Sequence, residues 1–297
     1  METRKARQNL NAYLFLLPAL IIFGIFFIYP NIEILYLSLF KWAGVSPNKV
    51  FIGLINYLDM FRDNEFWISL LHTLVIAGQS IVIQIPIALV LAILLNRRMV
   101  GSGLYSTVIF LPMVVSLVSV GIIWTWIYDP EFGVLNNILA VLGLESWQTA
   151  WLGNVKTAFI SVLIVINWIY IGLYTIILMS GLKGISPEIF DAAKVDGFNE
   201  FKITTKIRVP LLKEVIGVIV IMCISGSFKS FDLIWVMTGG GPVNSTEIVT
   251  TYLYRMAFRR LQSGYASSIG VMIFLICLVL ILFQLRMMKI SPEEQAE

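Results

Sequence analysis

Six apolar runs dominate the sequence, near residues 13–34, 70–95, 104–127, 158–179, 215–237 and 266–285. A bilayer core about 30 Å thick takes roughly 20 apolar residues per helix. In lipid, only helices and closed barrels satisfy their own backbone hydrogen bonds. Each run therefore predicts one spanning helix, and residues 1–297 predict a single all-α membrane domain of six transmembrane helices. With 58% apolar and 13% charged residues and a mean hydropathy of +0.87, the composition lies far from that of soluble domains. The first run is interrupted by Pro18, Gly24 and Pro30 and is followed by no small-residue cleavage site. It is read as a retained helix rather than a leader.

Orientation follows from the basic residues between the runs, because cytoplasmic segments hold the excess of Lys and Arg. The segment before the first run, the second and fourth connections and the C-terminal tail together carry 13 of them, against 7 in the alternate set. Both termini are expected in the cytoplasm. Six of the 13 lie in the fourth connection: Lys183, Lys194, Lys202, Lys206, Arg208 and Lys213. The formal charge of +3 is scattered around apolar stretches, so no patch suits a phosphate backbone and nucleic acid is not an expected partner.

Several chemistries lack their residues. No G-x-x-x-x-G-K-[ST] phosphate loop occurs, so the chain is not expected to hydrolyse ATP itself. No nucleophile stands at recognisable spacing from a base, and enzyme chemistry is not expected. Cys223 and Cys277 both fall inside runs, and the single His72 has no partner at metal-ligand spacing, so neither a disulfide framework nor a metal site is expected. Proton-coupled carriers bury ionisable groups in several spans; here only the fifth run holds a pair, Lys229 and Asp232. Three apart on a helix, these two share a face and can neutralise each other at the membrane edge or serve the pathway. Gly239-Gly240-Gly241-Pro242 reads as a turn leaving the membrane. Aromatics near the outward span ends, among them Trp42, Tyr57, Phe66, Trp67, Trp126, Tyr128, Trp147 and Trp151, read as an interfacial belt.

The fourth connection has the punctuation of two short helices. Ser186 can cap the first, with Pro187 at its first position and Glu188 beside the positive end of the dipole, and Gly197 supplies a left-handed exit. Asn199 can cap a second helix running through Val209, with Pro210 expected to break it before the fifth span. Ile189, Ala192 and Ala193 recur at helical spacing, and the small alanines suit close approach by another surface. On pattern alone, a docking helix and a solvated connector whose charges set topology both remain open.

The stretch from Pro187 through Asp191-Ala192-Ala193, Asp196-Gly197 and Pro210 resembles the EAA loop of integral membrane subunits of ABC importers, with Asp191 in place of the usual Glu. Residues 51–57 with Phe66-Trp67, residues 124–136, Phe231-Asp232 with residues 238–242, and residues 264–267 extend the resemblance to the carbohydrate branch of that family, the permeases of the maltose, glycerol-3-phosphate and multiple-sugar type. The resemblance runs from about residue 14 to residue 283.

This resemblance implies a type I importer permease in a bacterial or archaeal cytoplasmic membrane, working as one half of a transmembrane pair. A second related permease, two ATPase subunits that use ATP and Mg, and an external solute-binding protein would complete it, and the chain itself would hold no cofactor. Glu188, Asp191, Ala192, Ala193, Asp196, Gly197 and Pro210, in the coupling loop 181–212, would dock on the ATPase. The outward loops ending at Leu142 and around 239–242 would meet the binding protein. For a sugar path, aromatic faces and hydrogen-bonding groups are needed. Asn167, Trp168, Tyr170 and Tyr174 on the fourth span and Ser227 and Ser230 on the fifth offer them, with interhelical packing as the alternative use. A phosphorylated polyol would instead need a cation, for which Lys229 stands nearest, and an autonomous channel or carrier would need no ATPase.

Overall fold

The computed structural model describes residues 16–45, 47–96 and 101–289. The start of the first expected span, the basic residues Arg4, Lys5 and Arg7, the Arg97-Arg98 pair and the tail beyond residue 289 lie outside this range. The described residues gather into two compact units, one drawn from Met1–Asp63 with Leu253–Phe274, the other from Asn64–Tyr252 with Leu275–Glu297.

Among the described residues, four helices are long and apolar enough to cross a membrane: Leu16–Leu37, Asn64–Leu95, Ala158–Lys183 and Ser263–Met287. The other two expected spans are not straight rods. The third is a helix pair, Gly103–Val114 and Leu117–Ile127, bent by 96°. Pro112 withdraws a donor from the last turn of the first helix, and Val115 and Ser116 then adopt extended backbone. The fifth is divided into Lys213–Lys229 and Asp232–Met237, because Ser230 takes an extended conformation and Phe231 leaves helical geometry. The carbonyl of Ser230 accepts the hydroxyl of Thr250. This break removes the helical register that would have put Lys229 beside Asp232, and among the described residues the two form no ion pair.

Prolines explain a second irregularity. Three of the four π-helical segments among the described residues, Gly24–Ile28, Ser80–Gln84 and Thr204–Arg208, run directly into a helix whose second residue is proline: Pro30, Pro86 and Pro210; the fourth, Arg255–Arg259, does not. A proline ring lacks the N–H that bonds four residues back and crowds that carbonyl; a locally widened turn relieves both. Pro210 therefore does not end the second loop helix as expected. The helical path runs from Glu200 through Leu211 and is interrupted only at Leu212.

In the larger unit, Ala158–Lys183 is the central helix. Val162, Val165, Ile166 and Ile169 pack with Ile76, Leu233 and Ile234 toward one end, and Leu178 and Leu182 with Ala88, Ala92, Leu212 and Ile219 toward the other. Helix Ser102–Val114 crosses it at Gly172. A side chain there would collide with the carbonyl of Ile109, and its Cβ would stand 3.1 Å from the Cα of Phe110. The segment after Ile127 is organised around Asn136, 6% exposed, whose amide donates to the carbonyls of Pro130 and Thr149 while its Oδ1 accepts from Trp151. Tyr128 is likewise buried and Trp151 is tied into this network, so of the expected belt residues here only Trp126 and Trp147 stand exposed.

The glycine-rich segment is more than a turn. Gly239 and Gly240 have φ of 59° and 91°. The hydroxyls of Thr238 and Thr246 lie 2.7 Å apart, and Thr246 donates to the carbonyl of Gly241. A Cβ at Gly240 would come within 2.6 Å of the buried Glu247 carboxylate. His72, expected at the interface, is partly buried with Nδ1 2.8 Å from the Glu247 carbonyl.

In the smaller unit, Phe40–Lys41 and Val50–Phe51 form a short antiparallel hairpin with Phe40 opposite Phe51. Asn56, in helix Ile55–Arg62, donates to the carbonyls of Ser38 and Phe40, and Tyr57 donates to the Ser38 hydroxyl. The first turn of Ser263–Lys289 lies against this hairpin: Gly264 packs on the Phe40 backbone, and the Tyr265 hydroxyl donates to Asp63 at 2.6 Å. A Gly264→Val substitution would place Cβ about 3.0 Å from the Phe40 carbonyl carbon and closer still to its oxygen. It is expected to destabilise this unit by roughly 1–3 kcal/mol. Faster proteolysis or hydrogen exchange over residues 38–63 in the purified protein would register it, and unchanged protection would refute it.

Candidate functional site

Two places bring the expected residues together. The first is helix Pro187–Val195 with its flanks. Ser186 occupies the N-cap position with φ −58° and ψ 130°, but its hydroxyl makes no cap hydrogen bond; Pro187 alone fits the helix start to the chain direction. The other end is closed as the glycine requires. Gly197 has φ +78°, its N–H donates to the Lys194 carbonyl, and the N–H of Phe198 donates to the Ala193 carbonyl, each at 3.0 Å. These are the two bonds of a Schellman cap. Asn199 then caps the next helix, its Oδ1 accepting the N–H of Lys202 at 2.9 Å.

Glu188, Asp191, Ala192 and Asp196 are exposed, as are Ile189 and Val195, while Asp191 pairs with Lys194 at 3.1 Å. Ala193 corrects the expectation of two alanines on the free face: it is only 5% exposed and turns inward. A helix with alanines at adjacent positions cannot present both to one partner when its other side is packed. Pro210 stands 13 residues beyond Gly197, inside the continuing helix rather than at its end.

The second place is a partly open cleft of about 30 Å³ within the larger unit. Tyr170 and Tyr174, stacked at 6.3 Å, line it together with Ser227 and Ser230. Asn167 does not line it directly but accepts a hydrogen bond at 2.9 Å from the side chain of Gln84, which does. Trp168 is not part of it: 46% exposed, it points elsewhere and meets Trp124 edge-to-face. Residues 167 and 168 are about 100° apart around a helix, which no list of aromatic residues in one span resolves.

Sequence reasoning passed over the second span. Ser80 and Gln84, both buried, line the cleft from the π-helical segment Ser80–Gln84. Gln84 is fully buried and its Oε1 accepts no hydrogen bond among the described residues. Gln79 beside them donates to the Ser80 hydroxyl. The available signal was the cluster Gln79, Ser80 and Gln84 in the middle of a mostly apolar span, polar groups that are costly in lipid unless they face a partner or a cavity. Every residue around the cleft is uncharged, and Lys229 is not among them.

Comparison with known proteins agrees with this architecture. A family model described as the binding-protein-dependent transport system inner membrane component matches residues 84–288. The probable ABC transporter permease protein YurN of Bacillus subtilis is 38% identical over 97% of this chain and 99% of its own length. The multiple sugar-binding transport system permease protein MsmF of Streptococcus mutans is 30% identical over 97% of this chain and 99% of its own. In fold, the chain is similar to a crystal structure of a bacterial ABC transporter involved in the import of the acidic polysaccharide alginate, with a TM-score of 0.84, 23% identity, and coverage of 98% of this chain and 99% of that one. Matched along more than half its length by the family model and along nearly all of it by such relatives, this multi-pass chain belongs to the family of binding-protein-dependent transport system inner membrane components.

Proposed function

We propose that the chain is a permease subunit of a binding-protein-dependent ABC importer for a neutral sugar or oligosaccharide. It would form half of the translocation pathway and couple that pathway to ATP hydrolysis by separate ATPase subunits. The observation that carries this is the short helix Pro187–Val195, closed at its C-terminal end by a Schellman cap and exposed on one face between two membrane helices. Such a rigid projection suits force transfer from a soluble partner. A channel or carrier working alone has no use for it.

In this proposal all six apolar runs cross the membrane, the third and fifth as broken spans, with both termini and the capped helix on the cytoplasmic side. Glu188, Asp191, Ala192, Asp196 and Gly197 act at the ATPase contact, with Ala193 packed behind the helix and Pro210 in the helix that follows. A second related permease, two ATPase subunits using ATP and Mg, and a solute-binding protein outside complete the assembly. Tyr170, Tyr174, Ser227 and Ser230 join Ser80 and Gln84 along the path. The aromatic rings offer faces to sugar rings, and the Gln84 Oε1 offers an acceptor to a hydroxyl. The uncharged lining favours a neutral solute over a phosphorylated polyol or a uronate, since an anion in a dry cleft needs a cation beside it.

The test is purification of the tagged chain from its native membrane, then ATPase assays with its binding protein and maltose, trehalose, lactose or diacetylchitobiose. Co-purification of an ATPase and a sister permease, with hydrolysis stimulated by a neutral sugar, is expected. A chain that purifies alone and moves solute without ATP would refute the importer. In the working complex, Gln84→Leu is expected to raise the sugar concentration for half-maximal transport by about tenfold, the effect of one lost buried hydrogen-bonding group. Basal ATP hydrolysis should be unchanged. Unaltered sugar dependence would remove Gln84 from the path.

A further inference from the structure

We infer that Arg208 is a positioning residue that braces the capped helix against the helix leading into the membrane, so that the two move as one body; this rests on the proposed coupling role of that segment. Arg208 was counted above only as one of the basic residues that set topology. Its side chain is 12% exposed, the reverse of what a topology charge needs. Three contacts hold it. Its Nη1 donates to Glu200 Oε2 at 2.8 Å and to the Thr204 hydroxyl at 3.0 Å, and its guanidinium lies over the ring of Phe190, 5.1 Å from the centroid.

These contacts close a triangle. Phe190 lies on helix Pro187–Val195, Glu200 starts the following helix, and Arg208 stands further along that helical path, two residues before Pro210. The backbone link between the two helices is the corner Asp196–Asn199. A Cβ on its glycine would meet no other atom within 4 Å, so nothing packs against the corner at that residue. A corner of that kind transmits a push poorly unless its two arms are tied together. Arginine suits the tie because its planar group stacks on an aromatic face while keeping donors free for a carboxylate.

The test uses the whole purified complex in proteoliposomes, wild type against Arg208→Ala, Arg208→Lys, Phe190→Leu and the Arg208→Ala/Phe190→Leu double variant. Hydrogen exchange over residues 187–196 and sugar moved per ATP hydrolysed are measured, with whichever of the four sugars above drives the wild type. Arg208→Ala is expected to accelerate exchange in that helix and to lower transport per ATP by about tenfold, within the range of coupling between sites. Basal hydrolysis should persist. Arg208→Lys should recover part of the loss through Glu200, and the double variant should be no worse than Arg208→Ala alone. Wild-type exchange and coupling in Arg208→Ala would overturn the brace, as would losses in the double variant that simply add. A wild-type chain isolated without any ATPase would instead refute the coupling role, and exchange alone would then decide whether Arg208 ties the helices.

Discussion

Replacing Gly197 by valine is expected to leave the transporter assembled and to abolish most of its coupling. At φ +78° the residue sits where a β-branched side chain is strongly disfavoured, at a cost of about 1–3 kcal/mol. The effect is purely one of backbone geometry, because a Cβ at this position would touch nothing. Relief comes from abandoning the left-handed turn. That breaks the bonds from Gly197 and Phe198 to Lys194 and Ala193, frays the end of helix Pro187–Val195 and misdirects its exposed face. Stimulation of ATP hydrolysis by sugar-loaded binding protein should fall by about tenfold or more, with ATPase subunits still co-purifying. Gly197→Asn should keep most of the activity, since asparagine tolerates the left-handed region. A valine variant with wild-type stimulation would show that the cap has no part in coupling.

The second large effect is expected at Gly172, for the opposite reason. Its conformation is ordinarily helical, and what forbids a side chain is the neighbouring backbone: a Cβ would stand 2.7 Å from the carbonyl carbon of Ile109 and nearer still to the oxygen. Backbone inside a helix cannot step aside as a flexible side chain does. Gly172→Val therefore has to separate helix Ser102–Val114 from Ala158–Lys183, with an expected loss of about 3 kcal/mol or more. The variant should be recovered in much lower yield and unfold at lower temperature in detergent. Gly78→Ala, where a Cβ meets nothing within 4 Å, is the control and should behave as wild type. Equal stability of the two variants would contradict the close crossing.

Periodicity and punctuation made some features legible before any coordinates. The runs at Ala158–Lys183 and Ser263–Met287 are long and predominantly apolar, so hydropathy alone locates them. Gly197 and Asn199 are equally readable, because a left-handed exit and a side-chain cap each demand a particular residue type at one position. Ser186 shows the limit of that argument. A residue suited to capping sits at the right place, yet proline at the next position already shapes the start and the hydroxyl bond is not made.

The cleft was only half legible. Tyr170, Tyr174, Ser227 and Ser230 drew attention as polar or aromatic residues at mid-span, but the same rule also selected Trp168, which turns away, and overlooked Ser80 and Gln84. Composition within a span says that a polar group needs a partner; it does not say which side of the helix the partner is on.

From sequence alone came the membrane as solvent, the apolar runs, the helix-corner-helix loop and the resemblance to importer permeases, all of which depend on residue types at short spacing. Tertiary structure alone decided that the third run bends by 96° after Pro112, that the fifth breaks at Ser230 and Phe231, and that Lys229 and Asp232 consequently do not pair. It also decided that Pro210 continues a helix, that Ala193 packs inward, and that Gln84 reaches Asn167. The physical reason is the same in each case. A helix break, a π-helical turn or a buried amide is set by whether neighbouring segments satisfy its hydrogen bonds and fill its space, and those neighbours lie far away along the chain.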